Sequence, residues 1–241
     1  MNKNLKRGLS FAAVAATAAM LLTACAPATF KAEDCKDAKL SLGSLLPTTG
    51  NLAFLGAPEI AGVDLAVKEI NENGGVAGAC VSVLHKDSGD TTTNTASQSE
   101  AALKSAGVDA IVGAASSGVT LSVIDKVIKD EIVQVSPANT APVLSTYKDN
   151  GFYFRTAPSD VLQGRVLGNL ITGDGNSKVA FLTIQDPYGT GLFDNAKIAV
   201  EAAGGSVVAN EVFAPSTKNF SSQIDKVLAA GPDAIAVISF D

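Results

Sequence analysis

The chain has no tryptophan, one histidine, three cysteines and only 5% aromatic residues among its 241. Each scarcity removes a class of chemistry. A lone imidazole, His85, provides neither the His/Cys cluster of a zinc site nor a ready general base for a nucleophile elsewhere in the chain. Lysine and arginine (18) are outnumbered by aspartate and glutamate (24), for a net charge of −6, and no basic run follows Arg7. Such a surface has no electrostatic footprint for nucleic acid. Neither Gly-x-Gly-x-x-Gly after a strand nor Gly-x-x-x-x-Gly-Lys-Ser/Thr is present, so no phosphate cradle is signalled. No metal and no cofactor is expected.

What is present begins with an address. Lys3, Lys6 and Arg7 precede a stretch from Leu9 to Leu22 that is apolar or small apart from Ser10 and Thr17, and Leu22-Thr23-Ala24-Cys25 follows. A charged start, a short apolar core and a small-residue cleavage site make a secretory signal, too short for the roughly 20 residues of a membrane-spanning helix. Leu-x-Ala-Cys resembles the bacterial lipobox, which implies cleavage after residue 24, lipidation of Cys25 and a tether over residues 25–38. Without residues 1–24 the balance is 15 basic residues (18 minus three) against 24 acidic ones, a net charge of −9. The two remaining cysteines, Cys35 and Cys80, precede the first and second expected strands. In a parallel sheet both points fall at one edge, and a disulfide between them suits an oxidising compartment.

The rest of the chain alternates strand and helix patterns. Strands are expected at 39–46, 81–85, 110–112 and 132–135, with helices at 59–71, 93–105 and 119–129 between them. After Phe152-Tyr153-Phe154-Arg155 the programme restarts: helix 161–171, strand 179–184, helix 192–203, strand 207–213, helix 220–230, strand 234–238. Gly107-Val108-Asp109-Ala110-Ile111 recurs as Gly231-Pro232-Asp233-Ala234-Ile235, and the helix-ending Gly74-Gly75 recurs as Gly204-Gly205. Two Rossmann-like α/β lobes with parallel sheets follow: an N-terminal lobe over 39–158 and a partial second lobe over 159–241. The end at Phe240-Asp241, directly after a strand, is expected to cut the second lobe short.

In open parallel sheets ligands bind where loops leave the carboxyl ends of strands. Gly113-Ala114-Ala115-Ser116-Ser117-Gly118 stands between a strand and a helix, and Ser136-Pro137-Ala138-Asn139-Thr140 directly follows a strand. Small residues admit a ligand to the backbone, and Ser117 at a helix start suits a carboxylate. Equally, Ser117 is a preferred helix N-cap, and the second loop alone is an ordinary turn.

Taken together, several stretches resemble the branched-chain amino-acid-binding family of ABC-transporter substrate-binding proteins, with the type I periplasmic binding fold. They are Gly43-Ser44-Leu45-Leu46-Pro47-Thr48-Thr49-Gly50, the run Ala61 to Asn71, Gly74-Gly75-Val76, Ser116-Ser117, Ser136 to Thr140, Phe154 to Asp160 with Gln163-Gly164, and Tyr188-Gly189-Thr190-Gly191. The resemblance implies that Ser117 binds a ligand carboxylate through its hydroxyl and N–H, that Ala138 offers its carbonyl to an ammonium group, that Thr140 contacts both groups, and that Ser116 and Asn139 belong to the same ligand-binding loops. It further implies that Asp160 orders the polar end of the cleft, that Tyr188 closes from the second lobe, and that Phe240 is a lid. Leu55 falls where the family often has an aromatic. The implied partners are a small amino-acid-like or amide ligand, an ABC permease and the outer face of the cell membrane, with the protein a monomer and not an enzyme. A sugar-binding or ligand-sensing protein of the same fold is the alternative. A serine hydrolase built on Ala114-Ala115-Ser116-Ser117-Gly118 is remote, since its base would have to be His85.

Overall fold

The computed structural model describes residues 40–240. Cys25, Cys35 and the signal and tether expected before residue 39 lie outside the described residues. Cys80 is disulfide-bonded.

Among the described residues there are eight strands and six α-helices, alternating except that a 3₁₀ turn stands between the fourth and fifth strands. β1 (Leu40–Leu46), β2 (Val81–Asp87), β3 (Ala110–Gly113), β4 (Val133–Ser136) and β5 (Tyr153–Arg155) form one sheet in the order β2-β1-β3-β4-β5. β6 (Lys178–Ile184), β7 (Ser206–Phe213) and β8 (Ala234–Ile238) form a second, ordered β7-β6-β8. All pairings are parallel. The helices are α1 (Ala53–Glu72), α2 (Thr95–Ser105), α3 (Ser117–Lys129), α4 (Asp160–Gly173), α5 (Pro187–Ala202) and α6 (Ser221–Ala229), with a 3₁₀ turn at Pro142–Ser145. These are two α/β lobes with parallel sheets, as the type I periplasmic binding fold requires.

The sequence echo has a structural counterpart. Asp109 donates its N–H to the Ser41 carbonyl (2.7 Å), and its carboxylate accepts the Ser41 N–H (2.7 Å). Asp233 repeats the exchange with Lys178: N–H to carbonyl at 2.9 Å and carboxylate from N–H at 2.8 Å. In each lobe one aspartate pins the start of the third strand to the start of the first. The orders β2-β1-β3 and β7-β6-β8 are the same arrangement built twice.

Each lobe has its own core. Leu45, Leu103, Ile111, Val119, Val123 and Val127 pack between the first sheet and α2 and α3. Val179, Phe181, Leu192, Ala196 and Val200 pack between the second sheet and α5. Apolar residues at helical spacing on α3 supply one face of the first core, which is the pattern that marks an amphipathic helix. α1 starts six residues before its expected start at Glu59 and runs through Pro58. At Gly56 it presses so close to the β1–α1 loop that a Cβ there would stand 1.9 Å from the Pro47 carbonyl oxygen.

Candidate functional site

The loops that leave β1, β3 and β4 at their carboxyl ends lie side by side, because β1, β3 and β4 are neighbours in the sheet. The first turn of α3 is built on two serines with different tasks. Ser116 has extended backbone (φ −76°, ψ 134°) and its hydroxyl accepts the Val119 N–H at 3.3 Å, so it is the N-cap. Ser117 is therefore relieved of capping. Its Oγ instead accepts the N–H groups of Thr140 and Ala141, both at 3.2 Å, which ties the β4 loop to the start of α3. With two donors already on the oxygen, the Ser117 proton is the part left to give, and it suits an acceptor such as a carboxylate.

The β4 loop is braced from behind. Ser136 Oγ donates to the Ala114 carbonyl (2.7 Å) and accepts the Asn139 N–H (3.0 Å). Asn139 is fully buried. Its amide donates to the carbonyls of Ala114 (3.0 Å) and Ala115 (2.8 Å), and its Oδ1 accepts the Tyr153 hydroxyl at 2.9 Å. The amide is thus spent on holding the two loops together.

Leu52, Leu55, Ala115, Ser117, Ala138, Thr140, Gln163, Tyr188 and Phe240 line one cavity of about 220 Å³ between the lobes. Six of the residues selected from sequence meet there: Leu55, Ser117, Ala138, Thr140, Tyr188 and Phe240. Three do not line it. Ser116 caps α3 and faces a smaller hollow, Asn139 is the brace just described, and Asp160 lies behind the wall. The sequence reading gave no role to Leu52, Ala115 or Gln163. Gln163 had a signal, since it sits in a family-like stretch; Leu52 and Ala115 had none beyond adjacency to the right loops. A larger groove of about 500 Å³ runs between the 3₁₀ turn and α5 and holds none of the sequence-selected residues.

The second lobe contributes two aromatic rings to the cavity wall. Tyr188, in the first turn of α5, stacks on Phe240 after β8, with ring centroids 5.3 Å apart and planes 18° apart. Burial raises the Tyr188 phenol above its ordinary value, the Asp160 charge adds to this, and the Gln163 side chain opposes it. Asp160 opens α4, and its N–H donates to the Thr140 carbonyl at 2.9 Å. Its carboxylate is buried with no hydrogen-bond partner on either oxygen. Burial pushes it up to about 6; the nearby Thr140 hydroxyl, which does not complete a hydrogen bond of good geometry, and the Arg155 charge pull the other way. Arg155 forms no ion pair with it; its guanidinium is spent on the Ala141 carbonyl (2.9 Å) and Ser145 Oγ (2.7 Å).

His85 bridges Ser44 Oγ (2.7 Å) and Asp64 (2.9 Å). This resembles a Ser/His/Asp arrangement, but Ser44 is 0% exposed and no substrate reaches it. Ser116, the nucleophile of the hydrolase alternative, is engaged as a cap, and the described bonds of His85 go elsewhere. Among the described residues no group of three or more His, Cys, Asp or Glu could hold a metal ion.

Two parallel-sheet lobes with a small polar-and-aromatic cavity at their junction define a class: the bilobed solute-binding proteins. The periplasmic binding protein family matches residues 39–240, and this chain belongs to that family. It is 29% identical over 200 residues to the Leu/Ile/Val-binding protein BraC3 of Rhizobium johnstonii, covering 82% of this chain and 54% of that protein. It is 29% identical over 207 residues to the chemotactic signal transduction system substrate-binding protein BasB of Halobacterium salinarum, covering 83% and 49%. Among solved structures it is similar to the branched-chain amino acid transporter substrate-binding protein LivJ of Streptococcus pneumoniae in complex with isoleucine. That match has a TM-score of 0.71 and 29% identity, over 82% of this chain and 56% of that one. The chain spans about half the length of the curated relatives it matches. The family points to an extracytoplasmic place of work, and no described helix is long and apolar enough to cross a membrane.

Proposed function

We propose that the chain is the ligand-binding part of an ABC importer for a small amino acid or a related amide. On this reading residues 39–158 form the lobe that grips the zwitterionic head, and the lobe from residue 159 closes over it. The observation that carries the reading is the convergence of Ser117, Ala138 and Thr140 with Tyr188 and Phe240 on one cavity. Its volume lies below the roughly 300–1,000 Å³ usual for drug-sized ligands, which favours a solute of few heavy atoms. The Ser117 hydroxyl donates a hydrogen bond to the ligand carboxylate. Ala138 and Thr140 take the ammonium group, and the stacked aromatic pair covers the side chain. So small a molecule binds through a few charge-assisted hydrogen bonds in a site that closure makes dry. Cys25 carries the lipid that holds the protein at the outer face of the membrane, and Cys35 is the disulfide partner of Cys80. The Leu/Ile/Val-binding relatives and the isoleucine complex of LivJ support an aliphatic amino acid.

The test is isothermal titration of the protein against amino acids, amides, urea and sugars. Saturable one-to-one binding of an aliphatic amino acid is expected; a sugar as the only binder overturns the site assignment. A second reading, a sensory binding protein, is favoured by the likeness to BasB. It predicts co-purification with a signalling receptor in place of a permease. Lipidation is checked separately: Cys25→Ala is expected to release the protein from the membrane fraction.

A further inference from the structure

The seam between the lobes is built on two glycines, one from each side. Gly118 is the second residue of α3, in the first lobe, and Gly191 lies on α5, in the second. A Cβ on Gly118 would stand 2.3 Å from Asp186 Oδ2 and 2.8 Å from Thr91 Cγ2. A Cβ on Gly191 would stand 2.4 Å from Pro142 Cδ. Each glycine thus receives a residue of the opposite lobe against its bare Cα.

Neither contact yields cheaply. Asp186 is the N-cap of α5, and its Oδ1 is held by the Tyr188 N–H at 2.8 Å. Its other oxygen is buried and has no hydrogen-bond partner. Pro142 opens the 3₁₀ turn, and its ring is fixed to the backbone. Backbone conformation does not demand glycine at either place, since neither has a positive φ. Glycine is a poor helix residue, so its presence in two helices needs another reason, and close approach supplies it. Elsewhere across the cleft the lobes are joined by the Asn51 amide donating to the Pro215 carbonyl at 3.5 Å, the outer limit for such a bond.

We propose that Gly118 and Gly191 set how closely the two lobes seat, and so fix ligand affinity without lining the cavity. The inference deepens the binding reading above and rests on it for affinity, but not for shape. The placement explains the coupling. Gly118 directly follows Ser117, and Gly191 lies one helical turn after Tyr188, so each cavity-lining side chain rides on the same turn as a bare contact point. A displacement at the seam moves Ser117 and Tyr188 apart by a similar amount.

The experiment compares wild type with Gly118→Ala, Gly191→Ala and, as control, Gly62→Ala, whose added Cβ would meet nothing within 4 Å on α1. Two readouts are taken: the radius of gyration of the ligand-free protein by small-angle X-ray scattering, and affinity by titration. Both seam variants are expected to expand the particle and to weaken binding by about tenfold or more, because the added Cβ overpacks a tight contact. Gly62→Ala is expected to match wild type in shape and affinity. Gly118→Ala combined with Asp186→Ser, which keeps a capping hydroxyl but shortens the side chain, is expected to regain compactness. Equal radii for wild type and both seam variants overturn the inference, as does unchanged affinity in a protein that binds. Should wild type bind nothing in the panel while the seam variants still expand, the ligand assignment fails and the seam assignment stands. Gly191→Ala carries the test through a separate contact if Gly118→Ala proves unstable.

Discussion

Replacing Ser117 with alanine removes two things at once, and the structure separates their sizes. Oγ accepts the N–H groups of Thr140 and Ala141, each at 3.2 Å. Those lengths sit at the long end for N–H···O bonds, so each is worth about 0.5–1 kcal/mol net. Ala141 is fully buried, and its orphaned N–H adds a desolvation penalty of about 1–2 kcal/mol. Thr140 is half-buried on the cavity wall, where water can replace the lost oxygen. The ligand-free protein is therefore expected to lose about 1–3 kcal/mol of stability. At the usual urea sensitivity of about 1–3 kcal/mol per molar, that is a drop of roughly 1 M in midpoint. Loss of the hydroxyl's bond to a carboxylate costs about 1.5–3 kcal/mol of binding, or roughly ten- to a hundredfold in affinity. Urea unfolding without ligand and titration with ligand measure the two separately. An unchanged midpoint would refute the role of Ser117 in holding the β4 loop. An unchanged affinity alongside a lowered midpoint would make Ser117 a loop anchor and nothing more.

Stability is expected to fall as pH rises from about 4 to 7, because Glu59, pushed up to about 7 by burial, and Asp160, at about 6, both bind protons more tightly folded than unfolded. Glu59 edges an apolar hollow between α1 and the first sheet, with one oxygen unpartnered. Glu59→Gln should remove about 1–2 kcal/mol of that fall after discounting for its partial exposure, and an identical pH profile in the variant refutes this. Asp160→Asn should remove a further part of it, read from urea midpoints at pH 5 and pH 8. Tyr153→Phe leaves Asn139 Oδ1 buried without its donor and should cost about 1–2 kcal/mol in unfolding experiments. Tyr188→Leu breaks the stack on Phe240 and should weaken ligand binding by about 0.5–1.5 kcal/mol; full affinity in the variant would remove the lid role.

The alternation of strands and helices was legible because buried parallel strands and amphipathic helices carry different periods. The boundary of α1 was not. The helix was expected to start at Glu59, directly after Pro58, yet it begins at Ala53 and runs through the proline. The proline then removes only one bond near the N-terminus, where the carbonyl it displaces belongs to the exposed Phe54. The choice between Ser116 and Ser117 as cap was also closed to sequence, because both are good caps and adjacent. Tertiary contact decides it: Oγ of Ser117 is required by two N–H groups more than twenty residues away. The Asn139 brace was hidden for the same reason, since its partners Ala114, Ala115 and Tyr153 come from two other segments. Family-like spelling located the loop but could not say which of its side chains face inward.

The duplicated topology explains why the cavity forms where it does, and why its two walls differ. Ser117 follows β3 and Phe240 follows β8, the third strand of each repeat, while Leu55 follows β1 and Tyr188 follows β6, the first strand of each. In both lobes these two strands are neighbours, so their carboxyl-end loops converge at one place on the lobe's rim. Setting rim against rim yields a small chamber from pieces separated by some 120 residues of chain. The first wall carries hydroxyls and main-chain groups already ordered by Ser136 and Asn139, and the second carries a stacked aromatic pair. A zwitterion can make its hydrogen bonds on the first wall before the lobes meet, whereas apolar cover comes only on closure. Under the proposed function, substitutions in the brace should therefore slow or weaken first capture, and substitutions in the aromatic pair or at the seam should speed release. Stopped-flow titration separates these effects: a Tyr188→Leu variant that lost affinity through association alone would contradict this order of events.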